Sequence, residues 1–241
     1  MNTVIEQWTA VRERIHAACV RCNRRPQDVK LLAVSKTVPF ARLAQLARAG
    51  QVDFGENYIQ EALEKIQAAK IELADLKEAP FSYPVWHCIG PVQSNKTKWV
   101  ATHFDWMHTL DRLKIAERLS DQRPTELAPL KVLIQVNVDQ GHTKSGIAPD
   151  AVLPLAKAVM SLKGLSLKGI MTMPDFHPDY DTQVAMHKIG KAVFDHVLQE
   201  TGSPEWDTLS MGMTQDLEAA VEAGSTLLRV GTAIFGARLA A

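Results

Sequence analysis

Apolar positions along this chain switch between two rhythms, and the switch points lay out its elements. Near the start, Val4, Trp8, Val11, Ile15, Ala18, Cys19 and Cys22 recur at three- and four-residue steps, the mark of one helical face. Thr3 with Glu6 makes a capping box and Pro26 ends the segment, so residues 3–22 are predicted as an amphipathic helix. The rhythm then changes to an unbroken run, Leu31-Leu32-Ala33-Val34-Ser35, which reads as a strand buried on both faces. Further strands are predicted at 52–55, 85–90, 104–110, 130–138, 165–173, 208–212 and 227–231. Helical patterns fill 40–49, 56–70, 95–101, 112–120, 149–162, 180–200 and 216–223 between them. Eight strands alternating with helices fit an α/β fold, a single (β/α)8 TIM barrel with an extra N-terminal helix. A doubly wound open sheet is the alternative, but eight units in about 200 residues favour closure. No linker or repeat divides the chain, so residues 1–241 are expected to be one domain, with 1–28 the helix packed on the barrel.

Composition narrows the setting. The chain has 241 residues, 46% of them hydrophobic, enough for one large core. Lys and Arg number 27 and Asp and Glu number 27, which argues against a nucleic-acid or anionic-membrane surface as the main business. Three cysteines, Cys19, Cys22 and Cys88, are too few for a disulfide framework and point to a reducing, cytoplasmic setting. Glu6, Arg12, Glu13 and Arg14 at the start are unlike a signal peptide, and no run of about 18 apolar residues is present to span a membrane. His16, Cys19 and Cys22 share a spacing of three, but without a second ligand pair they read as helix-face residues, not metal ligands.

In a barrel, the strand C-termini and the loops after them form one mouth where ligands bind. Lys36 follows the first strand, and a partly desolvated lysine there can form a Schiff base with a carbonyl compound. The alternative is a lysine that ends the strand and reaches out to water. The other strand ends contribute Asn57, Gln93 to Lys96, Asn137 with Lys144, Ser210-Met211-Gly212 and Arg229-Val230-Gly231-Thr232, a polar and rather basic set that suits a phosphorylated carbonyl ligand. Loops after the seventh and eighth strands commonly hold phosphate in this fold, and Ser210-Met211-Gly212 and Gly231-Thr232 bring hydroxyls and glycines to those places. The Gly231–Gly236 stretch lacks the Lys-Ser/Thr of a P-loop, and no G-x-G-x-x-G is present. Arg229 interrupts an apolar run and could be a surface cation, a phosphate clamp or the partner of a heterocycle nitrogen. In that last role it would only donate, leaving the ring nitrogen unprotonated and the ring a poor electron sink. His87 and Cys88 read as wall and packing residues, and Asp53, Glu56 and Asp111 as helix-start carboxylates.

Seven motifs in order carry a resemblance. They are Ala33 to Thr37, Phe54 to Tyr58, His87 to Lys96, Asn137 with Lys144-Ser145-Gly146, Gly169 to Met173, Ser210 to Thr214 and Arg229 to Gly236. Together they closely resemble the pyridoxal phosphate homeostasis protein family over nearly the whole chain. Cys88, Val92 and His142 depart from the family pattern outside the implied cofactor contacts. The resemblance implies a barrel similar to the N-terminal domain of alanine racemase, binding pyridoxal 5'-phosphate (PLP). It implies Lys36 as the Schiff-base lysine, Arg229 as the ring-nitrogen partner, Asn57 beside the cofactor, Ser210, Gly231 and Thr232 as part of the phosphate cup, and Met211 as a further cofactor-binding residue. The family implies a role in buffering or delivering PLP to PLP-dependent apo-enzymes, without established turnover.

Two other functions compete. A racemase-like PLP enzyme would need a tyrosine base opposite the lysine, and little chain follows residue 236 to supply a second domain carrying one. An aldolase-type barrel would use Lys36 without PLP. A one-domain open mouth predicts an exposed, exchangeable cofactor and a monomer.

Overall fold

Eight parallel strands pair in sequence order and close on themselves. The computed structural model describes residues 3–77, 83–139 and 145–236. The strands are β1 (Lys30–Val34), β2 (Asp53–Glu56), β3 (Val85–Cys88), β4 (Trp106–Leu110), β5 (Leu130–Val136), β6 (Leu165–Thr172), β7 (Thr208–Ser210) and β8 (Leu227–Val230). Closure runs through β8 against β1, with Lys30 opposite Leu227 and Ala33 opposite Val230. The alternating pattern therefore resolves to a closed barrel, not an open sheet.

Helix α1 (Val4–Arg21) starts at Thr3, whose side chain accepts from the Glu6 N–H while Glu6 caps Thr3 in return. Its face of Val4, Trp8, Val11, Ile15, Ala18 and Cys19 is buried, and His16 is exposed. Between the strands lie α2 (Phe40–Arg48), α3 (Ile59–Glu72), α4 (Thr97–His103), α5 (Leu113–Gln122), α6 (Val152–Met160), α7 (Tyr180–Thr201) and α8 (Leu217–Glu222). The segment expected as one helix from residue 149 opens instead as a 3-10 turn, Pro149–Ala151, before α6. A short helix after β8, α9 (Thr232–Phe235), has no periodic signature in so few residues.

Strand alternation sorts side chains into two cores. Ala33, Phe54, Val132, Ile170, Leu209, Leu228 and Val230 join the helices in a large outer layer. Trp106, Leu133 and Met171, with Val85 beside them, make a small apolar plug inside the barrel. Helix α1 lies against α2, α8 and α9, outside the β8–β1 closure. Arg14 binds Glu218 and the Thr214 carbonyl, and Arg24 donates to the Val221 carbonyl, which ties α1 to the β7–β8 side of the barrel.

Candidate functional site

Lys36 lies two residues past β1, half-buried, on the face that alternation assigns to the mouth together with Leu32 and Val34. The turn that carries it is tight: the Val38 N–H donates to the Ser35 carbonyl at 3.0 Å, and Thr37 sits at φ +61°. A β-branched residue in the left-handed region is an outlier, and such outliers cluster at ligand sites. Thr37 is held there by its N–H, which donates to Glu61 Oε1 at 2.7 Å. The same Glu61 oxygen accepts from Lys65 Nζ at 2.6 Å. Lys65, buried on α3, also donates to the Ser35 carbonyl at 2.6 Å and to Glu56 Oε1 at 2.8 Å. One buried ammonium thus joins the ends of β1 and β2 to α3 beneath Lys36. Burial pushes the Glu56 carboxyl up, with Lys65 and the Ser35 hydroxyl pulling it back. Glu56 is therefore a core ion-pair member and not a helix-start carboxylate, because α3 begins only at Ile59.

Asn57 follows β2 and is half-buried. A Cβ on Gly90 would meet the Asn57 carbonyl oxygen at 2.2 Å, so the ends of β2 and β3 approach closely only because residue 90 has no side chain. The Thr109 hydroxyl donates to the Gly90 carbonyl at 2.8 Å and holds that loop from β4. Cys88 is packing, as expected: it is buried, and burial pushes its thiol up to about 12.

Arg229 is 6% exposed and points inward from β8. Its Nη1 donates to Ser210 Oγ at 2.8 Å and its Nη2 to the Thr172 carbonyl at 2.9 Å. These two bonds use two of the five guanidinium N–H groups, and the Nε–H is among the three left over. Burial draws the guanidinium down to about 10, with Asp216 opposing, so it remains a cation at neutral pH. Leu32 is its register partner on β1, and Lys36 lies four residues further toward the mouth.

The inward polar residues continue beyond Arg229. Ser210 Oγ is 3.5 Å from His108 Nδ1, His108 Nε2 is 2.9 Å from His87 Nδ1, and His87 Nε2 is 2.9 Å from Asp53 Oδ1. Burial, then His87 and Arg229, hold His108 well below the usual imidazole range. Sequence spacing left these residues unconnected, since they come from β2, β3, β4 and β7. Alternation on facing strands was the signal available.

Ser210 and Met211 stand at the end of β7 with their side chains on opposite faces. Ser210 is fully buried, and its Oγ accepts from Arg229 Nη1. Met211 turns its side chain into the outer core, because it is one step out of register with Ser210; only its main chain can face a ligand. Gly231 and Thr232 do stand at the mouth. Gly231 caps α9, Thr232 is exposed, and the first N–H groups of a helix have no intrahelical acceptor. The loop after β7 is pinned by Asp216, which accepts from the Met213 N–H at 2.7 Å and from His187 at 3.0 Å. Burial pushes the Asp216 carboxyl up, but His187, the Met213 N–H and Arg229 outweigh it and leave it low. Lys144 and His142 lie outside the described residues.

This donor set fits a phosphorylated pyridine aldehyde: an amine at Lys36, a spare N–H on a buried cation, and amides with a hydroxyl at Gly231 and Thr232. No group of His, Cys, Asp and Glu able to hold a metal is found among the described residues.

The model of the alanine racemase N-terminal domain matches residues 9–239. The pyridoxal phosphate homeostasis protein of Escherichia coli strain K12 is 47% identical over 238 residues, covering 99% of this chain and 98% of that one. The structure of PipY from Synechococcus elongatus PCC7942, with PLP bound, superposes with a TM-score of 0.76 at 30% identity, covering 92% of this chain and 100% of that one. Alanine racemase from Corynebacterium glutamicum shares the fold, with a TM-score of 0.63 at 14% identity over 95% of this chain and 62% of the racemase.

Proposed function

The chain belongs to the family of pyridoxal phosphate homeostasis proteins, and from that footing we propose that it binds PLP at the barrel mouth and buffers or delivers it to PLP-dependent apo-enzymes. The observation that carries this reading is Arg229, a buried guanidinium inside the barrel whose two bonds to the protein, to Ser210 and the Thr172 carbonyl, leave N–H groups over. When bound, PLP supplies an aldehyde that condenses with a primary amine, a ring nitrogen and a phosphate.

Lys36 Nζ is the amine for that aldehyde, presented by a turn that Lys65 and Glu61 hold in place. Arg229 donates to the ring nitrogen and has no acceptor lone pair, so it keeps that nitrogen unprotonated and withholds the electron sink that racemisation needs. Asn57 lines the ring, and Gly231 and Thr232 hold the phosphate through main-chain amides and the Thr232 hydroxyl. Ser210 acts through Arg229, and Met211 through its main chain. The Tyr180 hydroxyl donates to Glu222, so its proton is engaged away from Lys36. Holding without turnover suits a carrier.

The same reading makes the protein a cytoplasmic monomer. Its three cysteines are unpaired, and no helix among the described residues is long and apolar enough to cross a membrane.

Borohydride reduction of PLP-loaded protein, followed by intact mass and peptide mapping, tests the assignment. A phosphopyridoxyl group on Lys36, absent from Lys36→Ala, is the expected result. An unmodified Lys36 in PLP-saturated protein would overturn it. Sustained racemisation of an amino acid, abolished by Lys36→Ala, would replace the carrier with an enzyme.

A further inference from the structure

The polar line through the barrel has a direction, and its two ends set it. Arg229 is a cation with donors only, so Ser210 Oγ must accept from it. The Ser210 hydroxyl proton is then free for His108 Nδ1, which lies 3.5 Å away. At the other end Asp53 is a carboxylate that only accepts, so His87 Nε2 carries a proton toward it at 2.9 Å. Between them the 2.9 Å contact of His108 Nε2 with His87 Nδ1 needs one donor and one acceptor. His108, accepting at Nδ1, has its proton on Nε2 and is the donor. Every member therefore gives to the next, from the mouth to the foot of the barrel, and both imidazoles take the Nε2–H form.

Packing locks the ring planes as well. His87 stacks on Trp106 at 5.3 Å and 8°, and His108 meets Trp106 edge-on at 67°. Asp53 ends the line in a cleft of about 580 Å³ at the foot of the barrel, where its side chain is 25% exposed.

We propose that Asp53, His87 and His108 are positioning residues for the cofactor's ring nitrogen, acting through Ser210 and Arg229. With the tautomers locked, the Ser210 oxygen presents a lone pair to Arg229 Nη1, and the guanidinium is held in one orientation between Ser210 and the Thr172 carbonyl. Were His108 to carry its proton on Nδ1, the Ser210 hydroxyl would lose its acceptor and turn, and Arg229 would keep its bond to the Thr172 carbonyl but meet a reoriented Ser210 oxygen. The foot of the barrel thus sets how firmly the mouth holds PLP. This inference rests on the assignment of PLP to the mouth.

The test has two arms. Long-range proton–nitrogen NMR of the cofactor-free protein reports each imidazole's tautomer; Nε2–H for both His87 and His108 is expected at neutral pH. PLP titration then compares wild type with Asp53→Leu and Asp53→Glu. Losing the terminal acceptor should weaken PLP binding by roughly three- to tenfold, the scale of one net hydrogen bond. It should also shift the bound chromophore's absorption, and Asp53→Glu should restore both. Should Asp53→Leu not fold, the wild-type tautomers decide alone. An Nδ1–H or doubly protonated imidazole overturns the proposal, as does an Asp53→Leu protein with wild-type affinity and spectrum. A wild type that develops no PLP chromophore overturns the mouth assignment instead, and the tautomers still judge the chain.

Discussion

Gly90 shows how a single position can shape the mouth without touching a ligand. Its neighbour across the gap is main chain, the Asn57 carbonyl, which cannot rotate away as a side-chain tip would. A methyl group placed 2.2 Å from that oxygen must force β2 and β3 apart at their ends. Gly90→Ala is expected to cost about 1–3 kcal/mol, the range for overpacking a filled site. It should also weaken PLP binding, because Asn57 moves with the strand end. Urea unfolding and PLP titration on the same preparation check both; wild-type values for the two would remove the close approach as a constraint on the site.

At the scale of elements, the Lys65 ammonium is what holds α3 to the ends of β1 and β2. It is buried with Glu56, so removing one partner leaves the other charge uncompensated. Lys65→Met should therefore destabilise the fold by about 3–5 kcal/mol. The loss should also depend on pH. Glu56 holds its proton more tightly in the folded than in the unfolded chain, chiefly through burial. Its contribution is then complete below the unfolded carboxylate range and is lost as pH rises through the raised folded value. Without Lys65 that value rises further, so the deficit against wild type should widen as pH increases, and Glu56→Gln in the same background should recover part of it. Denaturation curves across pH make the comparison; a deficit equal at every pH would show that Glu56 ionisation has no part in it.

For the whole barrel, closure is uneven. β5 and β6 share seven register pairs, whereas β7 and β8 share one, Ser210 with Leu227. The Thr226 N–H to Leu209 and the Arg229 N–H to Gly212 extend that seam at 2.9 and 3.0 Å. Regions with few paired amides open at lower free energy, so 208–212 and 227–231 should exchange amide hydrogen faster than 130–136 and 165–172. A ligand seated on Lys36, Arg229 and Thr232 spans β1, β8 and α9, and PLP should slow exchange most at that seam. Hydrogen exchange read by mass spectrometry, with and without PLP, tests this, and equal slowing in every strand would contradict it.

The linear chain determined a great deal here. Two hydrophobic rhythms placed eight strands and the intervening helices. The local chemistry of Thr3 with Glu6 marked the first helix start. Lys36 and Arg229 were legible because each is a charge breaking into or ending an apolar run, which burial makes conspicuous. What spacing could not convey was which polar residues meet. Lys65 looks like any helix-face lysine until α3 packs on the barrel, and Asp53, His87 and His108 lie on three different strands. Ser210 shows the same limit: its place at a strand end was readable, but its partner was not. Strand periodicity assigns a side chain to one face or the other, whereas its partner depends on strand register and closure, which are properties of the folded barrel. The tertiary structure therefore decided the internal chain and the outward turn of Met211, because only closure brings β2, β3, β4, β7 and β8 around one interior.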